Sequence, residues 1–161
     1  DEKALAVSLN LHAELCRMLG GYRLSLHSGS DKFSIYPMYG ESTRNKFHVK
    51  TSGTSWLQAC KVVAAKDLPL FEELYALCLE WLDDSKKAYH VKITRADFPD
   101  ALPEDVMGFF ARDDVRQLFH ISYGVLLDHK RAEIFGVLQA NETEHYDFVG
   151  SHIEKHLKLL F

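Results

Sequence analysis

A chain of 161 residues with 47% apolar and 26% charged residues has the make-up of an ordinary globular domain, long enough to bury a sizeable core. Its formal net charge of −4, with nine histidines taken as neutral, speaks against nucleic acid as a partner, because phosphate binders carry a basic surface. No apolar run approaches the roughly 18–20 residues of a membrane span, so no membrane role is expected.

Asp1-Glu2-Lys3 is polar and leads straight into helical spacing over 2–19, carried by Leu5, Leu9, Leu11, Leu15, Met18 and Leu19. The expectation is a cytoplasmic protein with no secretory leader. Gly20-Gly21 stop the helix. Tyr22–His27 alternates and reads as a strand. Ser28-Gly29-Ser30-Asp31 is a polar turn, a short helix starts near Asp31, and Pro37 and Gly40 limit it. Phe47–Thr51 is a second strand, Ser52-Gly53-Thr54 a second turn, and a helix follows through Trp56, Leu57, Cys60, Val63 and Ala64. This βα alternation implies parallel strands.

The pattern then changes. Residues 68–88 read as one long amphipathic helix, 89–94 as either strand or helix end, and 95–103, with Pro99 and Pro103, as a loop. Helices follow near 104–110, 113–128, 131–140 and 142–160. Cys16, Cys60 and Cys78 are odd in number and fall in helical patterns, which predicts buried, reduced thiols.

Two strands make a poor parallel sheet on their own, because such sheets are covered on both faces. The chain also lacks an initiator Met and opens inside a helix. The expected fold class is therefore α/β and helix-rich: a partial (β/α) TIM-type barrel. Residues 1–66 would form its last βα units and 67–161 a helical extension. A whole barrel needs about 250 residues, so the chain reads as a fragment of a longer protein.

Two segments can carry chemistry. In Leu26-His27-Ser28-Gly29-Ser30-Asp31-Lys32, a histidine ends a strand, where imidazole can ligate a metal or shuttle protons. Ser28 to Ser30 lead to a helix N-terminus that can receive an anion, and Lys32 supplies positive charge. The plain alternative is a turn capped by Asp31. Phe47-His48-Val49-Lys50-Thr51-Ser52-Gly53-Thr54 repeats the logic. His48 and Lys50 share one strand face, and the glycine-containing turn suits a substrate anion. Here the alternative is a satisfied core histidine and a simple cap. Two histidines at equivalent places favour a site. A third group, His120 with Tyr123 and Arg116 on one side of an apolar helix, can supply substrate contacts or be satisfied within packing. His152 and His156, an i, i+4 pair able to chelate a metal, read instead as a surface face.

Taken together, Leu24–Pro37, Phe47–Trp56, Arg116–Gly124 and the ending His152–Leu157 resemble the C-terminal portion of the tagaturonate/fructuronate epimerase family. The resemblance implies a cytoplasmic, divalent-metal-dependent epimerase of hexuronate catabolism, acting on a small sugar acid. Its members are longer, so part of the catalytic set would lie outside this chain, which would be inactive alone. The two ketouronates differ at a carbon one removed from the α-carbon of the ketone and β to the carboxylate. Simple proton abstraction is not activated there, and retro-aldol cleavage, rotation and re-addition is a route in which a metal stabilises the developing charge. On this reading His27 and His48 bind the metal. Asp31 and Lys32 act at hydroxyl and carboxylate groups. Ser28, Ser30, Lys50, Thr51, Ser52, Gly53, His120 and Tyr123 contact substrate. The partners are the sugar acid and either a second copy or the missing N-terminal part, since an incomplete barrel exposes strand edges and apolar faces. Two alternatives stand: another metal-dependent sugar isomerase or aldolase of the same fold, and a non-catalytic helical domain with structural histidines.

Overall fold

The computed structural model describes residues 1–27, 29, 32–51 and 54–160. They form two compact units, one of Asp1–Thr54 with Gly150–Phe161 and one of Ser55–Val149.

The first unit opens with α1 (Glu2–Leu19), whose N-cap Asp1 accepts from the backbone N–H of Lys3 and Ala4. Gly20 and Gly21 end it at φ 65° and 70°, a backbone region that favours glycine. Strand β1 (Leu24–His27) follows, then a single 3-10 turn at Phe33–Ile35 and α2 (Tyr36–Thr43). Pro37 sits in the first turn of α2, where a missing N–H costs nothing, so it starts this helix rather than limiting it. β2 (Phe47–Lys50) pairs parallel with β1, Leu24 opposite Phe47 and His27 opposite Lys50. Alternation sends Leu24, Leu26, Phe47 and Val49 to one face of this β1-α2-β2 unit. There α1 and α2 cover it, with Tyr39 of α2 against Phe47 at 5.3 Å.

The apolar residues of α1 divide between two faces. Leu9 and Ala13 are buried, with Leu5 and Cys16 half-buried beside them. Val7, Leu11, Leu15 and Met18 form the opposite stripe, each more than half exposed.

The second unit is helical throughout its regular structure: α3 (Thr54–Lys66), α4 (Leu68–Glu80), α5 (Leu82–Lys86), α6 (Val106–Ala111), α7 (Asp113–Ile121), α8 (Tyr123–Ala140) and the start of α9 (Glu142–Leu160). Its core holds Val63, Leu74, Cys78, Val115, Leu118 and Leu126. Phe71 stacks on Phe119 at 5.0 Å, and Phe110 meets both rings edge-on.

The partial barrel is not what these residues build. Among the described residues the only sheet has two strands, and the helix-rich expectation alone is met. The reason lies in the periodicity. After residue 54 the apolar residues recur at helical spacing, and a barrel closes only when about eight strands curl round a common core. Three helix limits also differ. Trp81 divides the expected 68–88 helix into α4 and α5. Ser122 separates α7 from α8. The expected break near 129–130 is a kink at Lys130 (φ −136°, ψ 23°) within α8. The segment 89–94 forms no strand.

Candidate active site

The uncovered face of the sheet is where the strand residues with chemistry collect. Ser25, His27, His48 and Lys50 all project there and all are exposed. In register, Ser25 lies opposite His48 and His27 opposite Lys50. His27 and His48 are thus diagonal neighbours on one face, with α-carbons about 8 Å apart by ordinary strand spacing and rise. Ser25 Oγ meets His48 Nδ1 at 2.9 Å. That contact engages Nδ1, so Nε2 is the nitrogen that could ligate a metal. The two histidines could hold a divalent metal only together with further ligands. Among the described residues no group of three or more His, Cys, Asp or Glu is close enough to hold one.

Lys32 closes the loop that follows β1. Its ammonium donates to the His27 carbonyl at 2.6 Å, and its backbone N–H donates to the Gly29 carbonyl at 3.0 Å. Gly29 is buried, and a methyl group there would lie 2.5 Å from the Tyr36 hydroxyl and 2.6 Å from Val49 Cγ1. Only glycine admits so close an approach. Thr51 is exposed just after β2. Ser28, Ser30, Asp31, Ser52 and Gly53 lie outside the described residues.

His120 and Tyr123 belong to the second unit and fall in different helices, because the chain breaks at Ser122. His120 packs edge-on to Tyr89 at 5.9 Å. Tyr123 packs edge-on to Trp56 at 5.1 Å, while the Trp56 indole donates to the Phe119 carbonyl.

The group that sequence reasoning set aside is His152 with His156. His156 is only 4% exposed, and its Nδ1 lies 2.5 Å from the hydroxyl of Tyr36, itself 1% exposed. His156 Nε2 lies 3.3 Å from His152 Nε2, and Phe33 packs on both imidazoles. Burial pushes the Tyr36 hydroxyl up from its ordinary value. Burial, then the neighbouring Lys155 charge, pushes His156 down, so both groups are neutral at pH 7. The surface reading fails because this turn of α9 is inverted. Ile153 and Leu157 are 47% and 50% exposed, while the histidines face inward. Apolarity alone therefore gave the wrong face, and the i, i+4 spacing was the usable signal.

Comparison with known proteins bears on what this arrangement serves. A family model described as UxaE, tagaturonate epimerase, matches residues 1–160. A tagaturonate/fructuronate epimerase of Thermotoga maritima is 43% identical over 157 residues, which are 94% of this chain and 33% of that protein. The native crystal structure of fructuronate-tagaturonate epimerase UxaE from Cohnella laeviribosi matches with a TM-score of 0.86 and 37% identity, over 99% of this chain and 35% of its own. A form with one glycerol bound gives a TM-score of 0.87 at the same identity and coverage. The chain spans about a third of the length of these relatives. It belongs to the tagaturonate epimerase family.

Proposed function

We propose that this chain forms part of a cytoplasmic, divalent-metal-dependent epimerase interconverting tagaturonate and fructuronate, with His27 and His48 as metal ligands. The observation that carries the reading is a family-matched chain that gathers Ser25, His27, His48 and Lys50 on one uncovered sheet face. A metal bound there would supply Lewis-acid stabilisation of the charge that develops beside the ketone when the carbon–carbon bond opens. The chain's own groups orient the substrate. Ser25 holds the His48 ring through Nδ1. Lys50, opposite His27, presents an ammonium for the substrate carboxylate. The bond from Lys32 to the His27 carbonyl uses one of three ammonium donors and holds its charge beside His27. Asp31 is assigned to a substrate hydroxyl. Ser28, Ser30, Thr51, Ser52, Gly53, His120 and Tyr123 are assigned to substrate contact. The remaining acid–base groups are expected from the rest of the enzyme, without which turnover is lost.

The test follows each ketouronate by NMR in the presence of Mn²⁺ or Zn²⁺, in the wild-type chain and in His27→Ala and His48→Ala. Saturation transfer to the bound sugar acid is expected in the wild type and is lost in both variants, whether or not turnover occurs. Binding that neither substitution changes sinks the site assignment. Self-association with a second copy is the accompanying proposal, supported by the exposed apolar stripe on α1. Light scattering that finds a monomer at every concentration removes it.

A further inference from the structure

We propose that the first unit binds a phosphate dianion, free or as the ester of a small sugar, at the end of its sheet remote from His27 and Lys50. A cavity of about 460 Å³ opens there, of the size that small molecules fill. Arg17, Arg23, Arg44 and Lys46 all line it. Among the described residues no Asp or Glu lines it, and none of the four cations forms an ion pair. The whole chain carries a net charge of −4, so four positive charges round one cavity do not reflect a general basicity. Like charges gathered without counter-charges repel one another, and a bound anion relieves that repulsion. The cavity lies where the strands start: Leu24, first residue of β1, is in its wall, and Lys46 immediately precedes β2. His27 and Lys50 end the same strands, about 10 Å further along.

The plain reading of these cations is that they offset helix dipoles. Arg17 lies in the last turn of α1, and Arg44 caps the C-terminus of α2. Each helix end carries roughly half a negative charge, so two ends account for about one cation of the four. Arg23 and Lys46 belong to neither helix. Arg17 donates through one guanidinium nitrogen to the Ser42 carbonyl at 3.0 Å, which fixes its place between α1 and α2 and leaves its other donors for a ligand. Arg44 sits at φ 55° and ψ 45°, where glycine or asparagine is the ordinary choice. An arginine there costs backbone free energy that a helix cap alone does not require. The supply of donors selects the ligand. A carboxylate spreads one charge over two oxygens, and a single guanidinium fork satisfies it. A phosphate ester offers three oxygens and up to twice the charge, which several forks together match. Tyr22, exposed on the cavity wall, gives an aromatic face for the sugar of an ester.

Binding of inorganic phosphate and of glucose 1-phosphate is followed by calorimetry at low ionic strength, in the wild-type chain, Arg44→Gly, Arg23→Gln and the double variant His27→Ala/His48→Ala. Saturable binding with a Kd of about 1 mM or tighter is expected in the wild type. Each arginine variant is expected to bind about 10-fold more weakly. Arg44→Gly should fold as the wild type does, because glycine suits its backbone conformation. The double variant keeps wild-type affinity, whatever it loses at the epimerase site. A wild-type chain that shows no saturation overturns the proposal. So do arginine variants that both bind as the wild type does. Binding lost only in the double variant places the phosphate at the epimerase site and overturns this one. Glucuronate that binds as tightly as glucose 1-phosphate reveals a carboxylate site and overturns the assignment to phosphate. Tighter binding of the ester than of the free ion upholds the site with Tyr22 as part of it, and equal binding upholds it for the phosphate group alone. If Arg44→Gly fails to fold, the exposed Arg23 decides through Arg23→Gln.

Discussion

The two compact units bury side chains in different proportions: among the described residues Gln58 and Ser122 are the buried polar residues of a large apolar core, Thr43 and His156 those of a small one. The unit spanning Ser55–Val149 closes on aromatic rings and aliphatic groups, with Phe71, Phe119, Leu74, Leu118 and Val115 fully enclosed. The other unit has a thinner core in which Tyr36, Thr43 and His156 are buried beside Leu9, Ala13 and Leu26. It also leaves one face of its sheet open, with His27 and His48 on it. An apolar core contributes stability at little risk. A core of hydroxyl and imidazole groups must satisfy each polar atom and contributes less, but it holds groups that can do chemistry. The chain thus separates the part that stabilises from the part that carries reactive side chains.

The largest test of that division is Phe119→Ala. Removing a ring stacked on Phe71 and edge-on to Phe110 is expected to cost about 3–5 kcal/mol, read by guanidinium unfolding of the chain. A loss below about 1 kcal/mol would mean that the aromatic cluster is not the stabilising centre. Gly29→Ala probes the other unit. The added methyl meets Tyr36 and Val49, and about 1–3 kcal/mol is expected, seen as faster amide exchange in β1 and α2 with exchange in α4 unchanged. Equal acceleration in both units would erase the distinction.

Thiol chemistry sharpens the comparison further. Cys60 and Cys78 are fully buried in the apolar core, and burial pushes the Cys78 thiol up to about 12. A disulfide reagent at pH 8 is expected to label Cys16, half-buried in α1, while Cys60 and Cys78 react only on unfolding. Rapid labelling of three thiols would show that the core opens. The smallest effect belongs to Asp114, whose carboxyl is held below its usual range by the Arg112 guanidinium bonded to it. Its folded value lies below its unfolded value of about 3.9, so its contribution is complete above that pH and fades as pH falls through the lowered value. Because the pair is partly exposed, Asp114→Asn should lower stability at neutral pH by no more than about 1 kcal/mol, the difference from wild type shrinking as pH falls through the lowered value. A difference that persists undiminished in acid would contradict this assignment.

Local features were legible wherever one residue type decides the outcome. The stop at Gly20-Gly21 follows from their backbone freedom, and the pairing of β1 with β2 follows from alternation on both sides of a short helix. What escaped depended on contacts distant in the chain. His156 is buried because Tyr36, 120 residues away, offers its hydroxyl, and no local pattern encodes that. The breaks at Trp81 and Ser122 carry neither glycine nor proline, so nothing in the periodicity marks them. The barrel expectation extended two βα units beyond the residues that support it. Placement of His27, His48 and Lys50 on one face was readable from strand alternation alone, whereas the support from Ser25 needed the register.

The stripe of Val7, Leu11, Leu15 and Met18 also bears on how the protein is handled. Wherever a second copy does not cover it, fluorescent probes that light up on greasy surfaces will bind the folded chain itself, so a dye-followed melting curve starts bright and shows little rise. Circular dichroism, which ignores that surface, reports the unfolding instead.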